Sequence, residues 1–180
     1  KDLTKYNNIY SSIYIAEKYN LKRNNELINF QSKNQHVGFV MGWQRLIPKE
    51  ILDCFSCGVF GMHGSAQDLP YGRGRSPMNW SLIEGRKWFY TNLFKYDAGV
   101  DSGRIVGKEC FSVNRFDTAE TLHYKNLLSF INIIKANWNS FENNIIETYP
   151  QKEGKGSFYP KRSPEDGIID WNNDIFKVER

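Results

Sequence analysis

Two short apolar runs, each bounded by turn-forming residues, constrain the fold of this chain more than any other feature. The segments HVGFVMGW (36–43) and CGVFGMH (57–63) are almost continuously apolar, without the alternation of a strand that has one face in solvent. Such runs are typical of strands covered on both faces, as in a parallel sheet with helices on either side. Pro48 lies between them and predicts a short helix, since proline is favoured in the first turn of a helix.

The rest of the chain continues this alternation of helices and strands. Apolar spacing predicts a helix at 9–20, and a serine cap followed by proline predicts another at 76–85. Residues 87–96 and 104–113 are strand-like and are separated by the turn DAGVDSG. We therefore expect an α/β domain with a Rossmann-like, mainly parallel sheet flanked by helices.

A longer helix is predicted over residues 117–147, with Asp117 or Thr118 as its N-cap. Apolar residues recur every three or four positions along this segment, which predicts one buried face. The residues of the predicted face are Leu127, Ile131, Ile134, Trp138, Phe141 and Ile145.

The length of 180 residues suits one domain with a single core, which we place at residues 1–150. Residues 151–180 are rich in glycine, proline and charge, and predict an extended linker that leads toward a C-terminal region not present here. The chain opens with Lys1 in a helix-like stretch and stops at IFKVER, which resembles the start of a helix. We expect the sequence to be an excerpt of a longer protein.

The composition limits the classes of partner. Hydrophobic residues make up 40% of the chain and charged residues 24%, as in soluble globular proteins. The formal net charge of +4 comes from scattered basic residues, so it suits a small anionic substrate and gives no sign of a nucleic-acid surface. No run of about 18 apolar residues is present, so we expect no membrane association.

Cys54 and Cys57 form a C-x-x-C motif, with His63 six residues further on, which raises zinc or redox chemistry as an alternative. A structural zinc ion takes four ligands, and no second pair accompanies this one. The three cysteines do not form a disulfide framework and fit a reducing, cytoplasmic compartment. We expect ordinary thiols and no metal.

A candidate site is predicted where the apolar runs end. His63 ends the second run, the turn DAGVDSG supplies Asp97 and Asp101, and the loop RLIP follows the first run. Because ligands of parallel α/β sheets bind beyond the carboxyl ends of the strands, we expect these three segments to meet at one edge of the sheet. From the residues alone, the chemistry of this site stays open.

The order of several short motifs resembles that of the folate-dependent formyltransferases. HGS at 63–65 is followed by LPYGRGRSPMNW at 69–80, DAGVDSG at 97–103 and DTAETL at 117–122. The pattern covers most of residues 36–125, and the tail FYPKRSPEDGIIDW is most similar to sugar N-formyltransferases. The resemblance implies the catalytic domain of that family, here without its first strand–helix–strand unit.

The resemblance also implies a reaction, the transfer of a formyl group from 10-formyltetrahydrofolate to the primary amine of a nucleotide-linked amino sugar. His63 is then the base, and Asp101 orients it and supports its charge. For the folate it implies Arg45, Leu46 and Ile47, together with a second segment that contains Tyr96, Asp97 and Gly99. Plain loop packing of Leu46 and Ile47 is the open alternative.

For the acceptor, we expect Arg73, Arg75 and Asn79 to contact the nucleotide-linked sugar, because its phosphates attract arginine. The implied setting is cytoplasmic synthesis of lipopolysaccharide O-antigen, with a homodimer as one option. The open alternative is a methionyl-tRNA formyltransferase, which would bind a nucleic acid.

One position departs from the family pattern. The family has an asparagine two residues before the histidine that helps hold the formyl oxygen, whereas this chain has Gly61. Loss of such a donor typically lowers the rate by about 10²–10³-fold. Two interpretations stay open: another donor, such as a backbone N–H, Gln44 or Asn79, takes its place, or the chain is a weakened relative that binds folate.

Overall fold

The computed structural model describes residues 35–43 and 45–179. The helix expected at 9–20 lies outside the described residues. The strands, in chain order, are β1 (Gln35–Val40), β2 (Phe55–Ser65), β3 (Arg73–Gly74), β4 (Trp88–Lys95), β5 (Ile105–Ser112) and β6 (Phe158–Tyr159). The helices are α1 (Lys49–Leu52), α2 (Pro77–Ile83), α3 (Ala119–Ala136), α4 (Trp138–Glu142) and α5 (Ile175–Val178), with a 3₁₀ turn at Pro164–Gly167.

The main sheet has the strand order β1-β2-β4-β5 and is flanked by helices, so the α/β class is confirmed. Among the described strands this sheet is mixed rather than mainly parallel. β1 pairs with β2 in parallel, whereas β2–β4 and β4–β5 are antiparallel. The prediction went wrong because a strand covered on both faces has the same apolar pattern whichever way its neighbour runs.

The long helix predicted over 117–147 is two helices, α3 and α4, which meet at Asn137. Thr118 is confirmed as the cap of α3. Its side chain accepts a hydrogen bond from the backbone N–H of Thr121, and the side chain of Thr121 accepts one from the backbone N–H of Thr118. This reciprocal capping box satisfies two N–H groups that the first turn of a helix leaves unpaired.

The buried face of α3 differs from the predicted one. The buried residues of this helix are Leu122, Asn126, Ser129, Phe130 and Ile133. Of the predicted face, Phe141 is buried and Leu127 and Ile134 are half-buried, whereas Ile131, Trp138 and Ile145 are exposed. The hydrophobic pattern misled because two polar residues of α3 pack against the sheet, where the Thr91 hydroxyl donates to the amide oxygen of Asn126 across 2.7 Å.

The largest apolar cluster lies between the sheet and the α3–α4 pair. Phe60, Leu93 and Val106 come from three adjacent strands and pack against α3 and against Phe141 of α4. The rings of Phe60 and Phe141 meet edge to face at 5.1 Å. Burial of each such side chain contributes about 1.5–3 kcal/mol, so this cluster fixes which way the neighbouring residues of β2 and β4 face.

The opposite face of the sheet is covered by the loop that follows β2, which we call the cover loop (residues 66–76). Leu69 of this loop is buried against Phe94 and Ile105 of the sheet. The loop also contains β3, which pairs in parallel with β6 of the C-terminal segment. Among the described helices, none is long and apolar enough to span a membrane.

Candidate active site

The candidate site lies between the sheet and the cover loop. Side chains alternate along a strand, so Gly61 and His63 of β2 share the face opposite the main cluster. In the register of the sheet, Asn92 of β4 lies directly opposite His63, and Phe94 lies opposite Gly61. Residues paired in this way point to the same face. The packing of Phe60 and Leu93 into the core therefore turns His63 and Asn92 toward the cover loop.

His63 is buried, with 6% of its surface exposed, and an oxygen atom faces each of its ring nitrogens. Its Nε2 atom is 2.7 Å from the carbonyl oxygen of Gly72 in the cover loop. Its Nδ1 atom is 3.5 Å from the Oδ2 atom of Asp101. A carbonyl oxygen only accepts, so Nε2 carries the hydrogen in the first contact, and the lone pair of the neutral ring lies on Nδ1.

Each ring nitrogen faces an oxygen that could accept a hydrogen bond from the protonated form of the ring. When Nδ1 gains a proton, both nitrogens become donors and both facing oxygens become their acceptors. The carboxylate of Asp101 also offsets the positive charge, in a place where little water does so. The geometry therefore suits a base that must keep a proton for part of a reaction.

Asp101 is held by its own loop and by two other segments. Its backbone has a positive φ of 49°, which is uncommon for a residue other than glycine. The N–H of Gly74 donates to its Oδ2 atom across 3.3 Å, and the side chain of Gln151 donates to its carbonyl oxygen across 2.7 Å. Earlier in the turn, Asp97 accepts from the Gly99 N–H and the Ser102 hydroxyl.

The expected meeting of His63 and the aspartate turn is thus observed, although the reason given for it is wrong. Because β4 runs antiparallel to β2, its carboxyl end lies beside the middle of β2, and the Tyr96 N–H donates to the Val59 carbonyl across 2.7 Å. β1 also ends at this level, where Val40 pairs with Gly61. The site therefore lies along the face of β2, where its two neighbours end, and not beyond its carboxyl end.

The residues predicted to bind folate fall into two groups. Arg45 and Leu46 are exposed in the loop after β1, whereas Ile47 is buried and packs with Ile51 and Val59. The side chain of Ile47 thus has the packing role that the sequence analysis left open as an alternative to folate binding. Any contact of Ile47 with a ligand would therefore use its backbone. Asp97 and Gly99 are exposed in the turn after β4.

Tyr96 lies between these two groups and is mostly buried. Its ring packs edge to face on Phe94, with ring centres 5.1 Å apart, and it also contacts the cluster of Ile47 and Val59. Burial, and to a lesser degree the negative charge of Asp101, raise the pKa of Tyr96 to about 12. Its hydroxyl therefore stays protonated over the whole physiological range of pH.

The residues predicted to bind the acceptor lie in or beside the cover loop, but they differ in exposure and in their contacts with the rest of the protein. The guanidinium of Arg73 donates to the side chain of Gln151 across 2.5 Å and lies over the ring of Phe158 at 5.8 Å, so it is engaged within the protein. Arg75 is exposed, and Asn79 is half-buried in α2.

Three groups at the site were not predicted from the sequence. The carbonyl of Gly72 holds His63, Gln151 joins Asp101 to Arg73, and the fully buried amide of Asn92 has no hydrogen-bond partner among the described residues. The signal that could have identified Asn92 is an asparagine, which strands disfavour, in the middle of β4. A backbone carbonyl and a distant glutamine give no such signal.

The C-x-x-C motif forms no metal cluster with its neighbours. Within the described ranges, no group of three or more His, Cys, Asp or Glu side chains could hold a metal ion. Burial raises the pKa of both the Cys54 and the Cys57 thiols, so neither is a thiolate nucleophile at neutral pH.

Three solved structures with this fold are formyltransferases. The N-formyltransferase from Helicobacter canadensis, in complex with folinic acid and dTDP-3-aminofucose, has a TM-score of 0.68 at 20% sequence identity. The match covers 99% of this chain but 62% of that protein, so this chain spans less than two thirds of its length. The formyltransferase PseJ from Anoxybacillus kamchatkensis, in complex with UDP-4,6-dideoxy-4-formamido-L-AltNAc and tetrahydrofolate, has a TM-score of 0.60 at 19% identity, over 92% of this chain and 80% of that one.

The third is the methionyl-tRNA formyltransferase from Clostridium thermocellum, with a TM-score of 0.70 and 26% identity over 97% of this chain and 72% of that one. The sugar-modifying relatives, at 19–20% identity, share the fold with this chain. At the level of sequence, the family of formyl transferases matches residues 3–129, which is more than half of the chain and includes both members of the His63–Asp101 pair. The chain belongs to the formyl transferase family.

Proposed function

We propose that this chain is the catalytic part of an enzyme that transfers a formyl group from 10-formyltetrahydrofolate to the primary amine of a nucleotide-linked amino sugar. The observation that carries the proposal is the buried pair of His63 and Asp101, whose Nδ1 and Oδ2 atoms are 3.5 Å apart in a chain of this family. Residues 1–150 are the catalytic domain in this proposal, and residues 151–180 lead out of it.

His63 acts as the general base. The amine nitrogen attacks the formyl carbon, a bond to the folate nitrogen breaks, and the proton lost by the amine returns to that leaving nitrogen. His63 holds this proton between the two events, with Asp101 stabilising the charged ring. The protein needs no nucleophile of its own, since the amine of the substrate serves as one.

The surroundings of the turn after β4 fit a folate molecule. Asp97–Gly99 follow Tyr96 in an exposed turn, and the exposed Leu46 precedes Ile47, which packs in the same cluster as Tyr96. A pterin ring has a hydrogen-bonding edge and a flat apolar face. The folate supplies the formyl group, and the relatives solved with folinic acid or tetrahydrofolate support this assignment.

The amino sugar is favoured as acceptor by the relatives that were solved with dTDP- and UDP-linked sugars. Arg75 is exposed at the cover loop and suits one of the phosphates. Such sugars are building blocks of lipopolysaccharide O-antigen, which is the destination we propose. The second candidate is methionyl-tRNA, favoured by the 26% identity to the Clostridium enzyme.

The test is incubation of the full-length protein with 10-formyltetrahydrofolate and a panel of amines, followed by mass spectrometry. We expect one dTDP- or UDP-linked amino sugar to gain the mass of CO, and His63→Ala and Asp101→Asn to abolish that gain. The matched control is His36→Ala, which changes an exposed histidine on β1. Formylation of methionyl-tRNA alone would select the second candidate. Binding of folate without transfer to any amine would make the chain a non-catalytic binding module.

A further inference from the structure

The proposed reaction places negative charge on the formyl oxygen, and that oxygen needs a hydrogen-bond donor within a poorly hydrated site. Removal of one such donor typically lowers the rate by about 10²–10³-fold. The donor must reach the space beside His63 and must have a hydrogen that the protein does not already use. Gly61, two residues before His63, has no side chain that could serve.

The space above Gly61 is filled by another residue. A Cβ atom at this position would lie 2.6 Å from Cε2 of Tyr96 and 2.7 Å from its hydroxyl oxygen. The end of the Tyr96 ring thus takes the place where a side chain of residue 61 would begin. Gly61 and His63 are separated by two residues along the same strand face, or about 7 Å, so this hydroxyl lies within reach of the space beside the imidazole.

The Tyr96 ring is held firmly, while its hydroxyl has no hydrogen-bond partner in the part of the chain that the structure describes. The backbone N–H of Tyr96 donates to Val59 across 2.7 Å, and the ring packs on Phe94. Over residues 35–43 and 45–179, no hydrogen bond to the hydroxyl is found. Because the raised pKa keeps the phenol protonated, the group is a donor at any pH at which the enzyme would work.

We propose that the hydroxyl of Tyr96 donates a hydrogen bond to the formyl oxygen and stabilises the charge that develops on it, in the space left by Gly61. This inference rests on the proposed function and adds a catalytic residue to it. Tyr96 then has two roles, since its backbone belongs to the turn that faces the folate and its side chain faces the reacting group.

Asn92 is a competing donor, because it lies opposite His63 and its amide has no hydrogen-bond partner among the described residues. Gln44, a donor that the sequence analysis considered, lies outside the described residues. The exposed surface of Asn92 is 0%, so a substrate cannot reach it unless the groups that cover it move away. Tyr96 is only partly buried and borders the exposed turn at 97–100. Access therefore favours the tyrosine.

The first test compares Tyr96→Phe with the unaltered full-length enzyme. Loss of the hydroxyl should lower kcat by about 10²–10³-fold, while the KM for each substrate changes by less than about threefold, because the bond strengthens only as charge develops. The pH profile of kcat/KM should keep its shape, since His63 and Asp101 remain. Tyr90→Phe, which removes a hydroxyl from β4 opposite Ser65, is the control and should keep its kcat within about twofold.

A second test asks whether an asparagine at position 61 restores activity that is lost when the Tyr96 side chain is removed, which separates a catalytic role of Tyr96 from a packing role. Gly61→Asn alone should lose activity and stability, because its Cβ would collide with the Tyr96 ring. Combined with Tyr96→Ala, the same asparagine has room and brings its own amide donor to this space. The double variant should therefore have a kcat at least about tenfold above that of Tyr96→Ala.

The outcomes distinguish this inference from the proposed function. In an infrared measurement with a bound 10-formyl folate analogue carrying a carbon-13 formyl group, the carbonyl frequency should rise when Tyr96 becomes phenylalanine. An active wild type together with a Tyr96→Phe variant of unchanged kcat and carbonyl frequency would overturn the role of Tyr96 and leave the proposed function standing. A wild type that formylates no amine would reject both.

Discussion

His63 combines a buried position with two oxygen acceptors, and this combination determines how it can act. Gly72 takes the hydrogen on Nε2, which directs the lone pair of the neutral ring toward Asp101. The second nitrogen lies beside a carboxylate, so the ring is prepared to receive a proton.

Replacing His63 by glutamine tests this role of the ring. Glutamine keeps a polar side chain of similar reach but cannot take up a proton, so we expect kcat to fall by about 10²–10⁴-fold. The measurement is formyl transfer at saturating substrate, with folate binding measured in parallel. His36→Gln on β1 should be indistinguishable from wild type, and an equally large loss in that control would remove the case for His63.

Tyr96 gives a prediction for stability at high pH. Its pKa is about 12 in the folded protein, above the ordinary value of 10.0, so between these values the unfolded chain loses a proton that the folded chain keeps. The free energy of unfolding should therefore fall as the pH rises from about 10 to 12. Compared with Tyr96→Phe, the wild type should lose at most about 2–3 kcal/mol more over this window, measured by urea denaturation. Parallel curves for the two proteins would contradict the raised pKa.

At the level of elements, the contact of α3 with the sheet includes a buried polar pair as well as the apolar cluster. The hydroxyl of Thr91 donates to Asn126, and both residues are at most 2% exposed. Gly64 lies under the same amide, so the helix approaches the sheet closely at this point. This pair explains why the buried face of α3 is not the face with the most apolar residues.

Asn126→Ala should lower the free energy of unfolding by about 1–3 kcal/mol, because it leaves the Thr91 hydroxyl buried without its acceptor. The exposed Asn132 on the same helix is the matched control, and Asn132→Ala should change stability by less than about 0.5 kcal/mol. Urea denaturation of both variants measures the difference. Equal stabilities would mean that the buried pair does not hold α3 in place.

At the level of the whole molecule, the segment after α4 ties together the two loops of the site. Gln151 accepts from Arg73 of the cover loop and donates to the carbonyls of Asp101 and Gly103. Further along, the hydroxyl of Ser157 accepts from the N–H of Gly72, whose carbonyl holds His63. The two contacts with the cover loop join residues 78 and 85 positions apart, and the two with the aspartate turn join residues 48 and 50 positions apart. Both neighbours of His63 are therefore held by residues far away in the chain.

Gln151→Ala tests this tie. Without the amide, the aspartate turn loses two hydrogen bonds, and a small displacement of Asp101 should lower kcat by about tenfold or more. In combination with Asp101→Asn the two losses should not multiply, because both act through the same carboxylate. The exposed Lys155 lies in the same segment, and Lys155→Ala should keep full activity. Losses that multiply would mean that Gln151 acts elsewhere.

The sequence allowed many local features to be predicted, because local features depend on nearby residues. The apolar runs predicted β1 and β2, the cap of α3 was predicted at Asp117 or Thr118 and is Thr118, and the aspartate turn was predicted between β4 and β5. His63 and Asp101 were selected by residue type and by resemblance. The buried face of α3 was missed, because Asn126 is buried through a partner 35 positions away that no periodicity shows.

Local sequence patterns predicted the four strands of the main sheet and a helix over residues 117–147, and the family resemblance selected His63 and Asp101. Long-range contacts set the antiparallel direction of β4 against β2, the position of the site along β2, and the packing of Tyr96 above Gly61. The physical reason is that strand direction and close packing depend on hydrogen bonds and contacts between residues far apart in the chain. A local pattern of apolar and polar residues is the same whichever partner the fold brings to it.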